Sequence, residues 1–177
     1  MGSRWVFDGH IAGIGTASGL RAVVGIWQES PFGPFADVMV QQPSGHRQLL
    51  APSREVAEFI AATYTFDDVT EVDLSARLGH GTLEVDAGPL AISARLGGRA
   101  LLGRMLRAVP RRLAVHPGWL RAISPVAGIL SSGSRTSGTA GSGRREYYGV
   151  SDLHTITSAV VSGTGLMPEP WRRSAPL

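Results

Sequence analysis

Residues 27–40 read WQESPFGPFADVMV, and the run of proline and glycine at its centre decides how the neighbouring chain is read. Pro31 and Pro34 fix their own backbone on either side of Gly33, which tolerates a left-handed conformation, so Ser30–Phe35 is a corner. Before it, Arg21–Trp27 alternates as a strand does; after it, Ala36–Gln41 does the same. The corner also sets bulky aromatic residues beside a carboxylate, Asp37.

Working outward toward the N-terminus, Trp5–Trp27 reads as a hairpin. His10–Thr16 is a β-suited run, Ala17–Leu20 holds a Ser-Gly turn, and Arg21–Trp27 returns. Gly13, Gly15 and Gly19 resemble a dinucleotide fingerprint only superficially, because a strand rather than a long helix follows them. Toward the C-terminus, Pro43-Ser-Gly-His46 is a turn and Arg47–Ala51 is the return strand of a second hairpin. Pro52-Ser53 then opens a helix reaching about Tyr64. Ser53 caps it, Glu55 and Glu58 lie toward its positive end, and Val56, Phe59, Ile60 and Thr63 keep to one face.

Phe66–Arg77 reads as one alternating strand, Gly79-His-Gly81 as a turn, Thr82–Asp86 as a strand and Pro89–Leu96 as the next. Antiparallel steps this close together predict a meander or closed sheet rather than a βαβ fold. Gly98–Val109 has the pattern of a basic amphipathic helix, with Leu101, Leu102, Met105, Leu106 and Val109 opposite Arg99, Arg104 and Arg107. Ser131–Arg145 is rich in Gly, Ser and Thr and reads as the arm of a hairpin, with strands at Arg145–Val150 and Leu153–Val161. The expected fold is α+β: mainly an antiparallel β-barrel or cone of hairpins with two or three covering helices. It forms one barrel-like domain over residues 1–162, with an irregular C-terminal tail over 163–177.

With 177 residues, 43% of them hydrophobic and 18% charged, the chain has the composition of one globular domain. It contains no cysteine, which excludes disulfides, thiolate nucleophiles and thiolate metal ligands. All 17 basic residues are arginine. Without lysine there is no Schiff-base amine, no P-loop lysine and no pyridoxal-phosphate anchor, because arginine stays protonated. Residues 1–97 hold 6 arginines and 11 carboxylates (net −5), and residues 98–177 hold 11 and 3 (net +8), together the net charge of +3. That asymmetry fits two halves drawn together within one domain. The N-terminus lacks the apolar core of a leader, no run is long enough for a membrane helix, and a cytoplasmic location is expected.

The five histidines, at 10, 46, 80, 116 and 154, are scattered without metal-ligand spacing, so no metal and no cofactor is expected. No nucleophile elbow occurs, and Thr139 stands where a P-loop requires lysine. Arg144-Arg145-Glu146-Tyr147-Tyr148 mixes guanidinium and aromatic groups, but strand alternation separates the two tyrosines, and no nucleic acid is expected.

Gly33-Pro34-Phe35-Ala36-Asp37, followed by Val38-Met39-Val40, resembles the Gly-Pro-Tyr-x-Glu corner of the acetoacetate decarboxylase-like superfamily, and the whole chain resembles actinobacterial proteins of that general kind. Phe35 stands for the tyrosine and Asp37 for the glutamate. The resemblance implies a cone-shaped antiparallel barrel with an interior pocket. The family's decarboxylation uses a lysine imine, which this lysine-free chain cannot form. What remains is a pocket for a small anionic organic molecule, with Phe35, Asp37, Glu84 and Tyr147 as candidate ligand-binding residues. The alternatives are a lyase, hydratase or isomerase using an Asp, Glu or His base in the same pocket, and a peripheral module binding anionic lipid or an acidic partner through Arg99–Arg121. A homo-oligomer is compatible with either.

Overall fold

A computed structural model of the chain describes residues 5–100, 152–163 and, for the backbone, 166–170. The strands form two five-stranded sheets. The first contains β1 (Asp8–Gly15), β2 (Arg21–Glu29), β3 (Phe35–Gln41), β4 (Arg47–Ala51) and β5 (Asp68–Glu71), in that order. A helix, α1 (Arg54–Ala61), lies between β4 and β5 in sequence. The second sheet contains β6 (Ser75–Gly79), β7 (Thr82–Asp86), β8 (Leu90–Arg99), β9 (His154–Gly163) and β10 (Leu166–Pro170), neighbours in chain order.

Side-chain alternation explains the layering. Ala22 and Val24 of β2, Val38 and Val40 of β3 and Leu50 of β4 point to one side of the first sheet. They meet Leu83 and Val85 of β7, Leu90, Ile92 and Ala94 of β8, and Ala159 and Val161 of β9 in a single core between the sheets. Residues of the opposite parity on the second sheet, such as Glu84, Ser93 and Val160, are exposed. The first sheet is covered over part of its other side too: Leu49 and Ala51 of β4 pack under Val56, Ala57 and Ile60 of α1. The order of layers is therefore helix, sheet, sheet.

The fold is thus β-rich with one helix among the described residues, but the expected barrel is not what these strands make. β1 and β5 end one sheet, β6 and β10 end the other, and the two are packed face to face without closing. Nor is the chain a pure meander, since β4 and β5 pair in parallel across α1. That one parallel step was hidden by Phe66–Arg77, which reads as a single strand. In fact β5 pairs with β4, Val72 N–H still donates to the Ala51 carbonyl (2.9 Å), and β6 then pairs with β7 in the other sheet. Val72, Leu74 and Ala76 all face the core between the sheets. The alternation survives the change of partners because burial, which sets the pattern, stays the same while the hydrogen-bonding neighbour does not.

Three boundaries also differ. The helix stops at Ala61 rather than near Tyr64, because Thr63 N–H turns to the Ile60 carbonyl and the Thr63 hydroxyl to the Phe59 carbonyl. Gly98 and Arg99, expected to open a basic helix, are the end of β8, with Arg99 opposite His154 of β9; the rest of that expected helix lies outside the described residues. Within the expected irregular tail, Leu166–Pro170 pairs with β9 as β10. Its position at the sheet's edge makes proline admissible, since an outward-facing N–H is not needed there.

Candidate functional site

The β2–β3 hairpin places Asp37 opposite Gly25 and Phe35 opposite Trp27. Gly33 closes the corner with φ of 78°, a conformation that glycine adopts freely, while the Ser30 hydroxyl accepts from Phe32 N–H at 3.0 Å. Asp37 has the parity of Phe35 and Met39 and so points to the helix side of the first sheet, where it is only 2% exposed. The Trp27 indole N–H donates to Asp37 Oδ1 at 2.9 Å. Gly25 is what makes room for this pair: a Cβ there would overlap Asp37 Oδ1 and come within 2.7 Å of Trp27 Nε1.

Asp37 Oδ2 is buried and has no hydrogen-bond partner among the described residues. A lone buried carboxylate oxygen is uncommon because its desolvation goes uncompensated. Burial pushes the Asp37 carboxyl up to about 6, and the Trp27 hydrogen bond opposes that shift without cancelling it. The group can therefore change its charge close to neutral pH.

Around it lies a continuous layer of six aromatic rings. Phe59 of α1 stacks on Trp5 (5.0 Å between centroids, 5° between planes) and on Phe7 (5.3 Å), and it meets Phe32 at 5.1 Å. Phe7 in turn meets Trp27 edge-on at 5.5 Å, and Phe35 lies 6.4 Å from Trp27 and 6.2 Å from Phe32. These separations are those of favourable offset or edge-to-face pairs. Trp5 is the least enclosed of the rings, at 46% exposure.

Comparison with protein-family models, with curated proteins and with solved structures finds no match. The geometry of the chain itself therefore carries the functional argument.

Of the expected site residues, Phe35 and Asp37 come together as described. Glu84 does not join them. Its neighbours Leu83 and Val85 point into the core between the sheets, so Glu84 projects from the outer face of the second sheet, where it accepts from the Ser93 hydroxyl at 2.8 Å. Both sheets separate it from Asp37. Tyr147 lies outside the described residues, as does nearly all of Arg99–Arg121. Trp27, Gly25, Phe59, Phe7 and Trp5 were not singled out from sequence. Pairing the hairpin outward from the Ser30–Phe35 corner would have identified the first two; the others arrive from elements whose placement no local pattern specifies. No group of three or more metal-ligating side chains occurs among the described residues, and no helix among them is long and apolar enough to cross a membrane.

Proposed function

We propose that this protein binds a small organic molecule at the aromatic layer beside α1, with Asp37 as its polar anchor. The observation that carries this reading is the buried Oδ2 of Asp37, which has no partner among the described residues. A buried acceptor without a partner is an energetic cost to the folded chain, and a ligand donor would remove it. The ring faces supply apolar contact and attract positive charge. The geometry favours a ligand with an aromatic or apolar body and an amine-type head that donates to Oδ2.

One observation supports the anionic ligand expected from sequence as a second reading. With its proton held up to about pH 6, the Asp37 carboxyl can itself donate to a ligand carboxylate. The two readings respond oppositely to pH. Benzylamine and benzoate, matched in their ring and opposite in charge, serve as probes, with the tryptophan emission of the full chain as readout. Benzylamine is expected to quench or shift the emission, more tightly above pH 6 than below it, and to lose that pH dependence in Asp37→Asn. Tighter binding of benzoate below pH 6 moves the assignment to the anionic ligand. If neither probe alters the emission, or if Asp37→Asn binds both as the parent does, the site is not a binding site.

A further inference from the structure

Among the described residues, the four outer edges of the two sheets are not equally protected. β5 is 4 residues long and carries Asp68 and Glu71. β6 has 5 residues, with Arg77 at its centre. β10 contains Pro168 and Pro170, which have no N–H to offer. Short length, charge and proline are the means by which exposed edges avoid pairing with another chain. β1 (DGHIAGIG) has 8 residues, no proline and a single carboxylate, Asp8, and the one irregularity in its pairing with β2 lies between Asp8 and Gly9, at its very start.

Exposed apolar surface gathers on the same segment. Among the described residues seven large hydrophobic side chains are exposed, and three of them, Trp5, Val6 (63%) and Ile11 (53%), fall on β1 or immediately before it. Ile11 stands opposite Gly25, which stands opposite Asp37, so all three occupy one row on the helix side of the first sheet.

We propose that β1 is an intermolecular pairing edge and that its partner is β1 of a second copy of this chain, running antiparallel. The two first sheets then join into one continuous sheet about a two-fold axis. Directly opposed residues of an antiparallel pair point to the same face, and this restricts the registers open to a symmetric pair. Centring the axis on Ile11 sets Ile11 against Ile11 of the second copy, His10 against Ala12, Gly9 against Gly13, and Asp8 against Ile14. The charges are compatible in this register, because no carboxylate faces a carboxylate. The exposed isoleucine is covered by its own counterpart, and the glycines on either side of it leave the contact unobstructed. The joined sheet carries both Asp37 sites on one face, yet the pairing does not depend on their binding anything.

The absence of native cysteine makes the register directly testable. Opposed residues of an antiparallel pair have Cα atoms about 4.5–5.5 Å apart, within the range that a disulfide spans. Sedimentation velocity of the full chain is expected to show a species of twice 18.7 kDa that dissociates on dilution. In Ile11→Cys, mild oxidation is expected to give a covalent dimer that reductant reverses. In Val160→Cys, a comparably exposed position (46%) on the outer face of the second sheet, it is expected to give little. Ile11→Lys sets two like charges on the axis and is expected to leave a monomer with unchanged far-UV circular dichroism. A chain that is monomeric at every concentration overturns the proposal. So does a dimer that survives Ile11→Lys, or Ile11→Cys cross-linking no faster than Val160→Cys.

Discussion

At the scale of single residues, the cost of Asp37 has a definite sign with pH. Its ordinary value is 3.8 and its folded value is about 6. Between those values the folded chain holds a proton that the unfolded chain has released. Asp37 therefore favours folding fully below about pH 4, and this contribution is lost as pH rises through 6, about 3 kcal/mol in all for a shift of roughly two units. Urea denaturation at the two ends of that window is expected to show the parent losing more stability toward neutral pH than Asp37→Asn does, by an amount of that order. Parallel pH profiles for the two proteins would mean that Asp37 is not buried as described. This residue was half legible in the sequence. The corner beside it and Phe35 were plain from Pro31, Gly33 and Pro34. Its burial was not, because an aspartate in an alternating strand reads as a surface residue until the opposite face proves to be covered.

At the scale of elements, local signals located the strands and the helix but not their partners. Ser53 was identified as the cap of α1 from its place after Pro52, and its hydroxyl does accept from Val56 N–H. Ser53→Ala is expected to lower the stability by about 1 kcal/mol, and Ser53→Asp to retain most of it, both measured as shifts in the urea midpoint. The parallel pairing of β4 with β5 had no comparable signal. It depends on where α1 docks, through Leu49 and Ala51 meeting Val56, Ala57 and Ile60, and on hydrogen bonds such as that from Arg47 N–H to the Asp67 carboxylate (2.7 Å). The prolines of β10 pointed away from a strand for a sound reason, and only its position at an edge reverses that reading.

At the scale of the whole molecule, the two sheets share one core, so they are expected to unfold together. Leu83 of β7 is fully buried and packs in the same cluster as Val24 and Val38 of the first sheet. Leu83→Ala is expected to cost about 2–5 kcal/mol. The loss should register identically in far-UV circular dichroism and in tryptophan emission, to which Trp27 of the other sheet contributes. Transitions that separate in the variant would show that the sheets are independent. The end of the antiparallel β8–β9 pair bears on this cooperativity. There the Arg99 guanidinium meets the Asp152 carboxylate at 2.9 Å, and Ala100 N–H donates to the Leu153 carbonyl at 3.0 Å. Arg99 and Asp152 are 53 positions apart in the sequence, and their contact ties β8 to the residues just before β9. In mechanical terms the contact is a latch, holding together the ends of two strands whose other residues line the shared core.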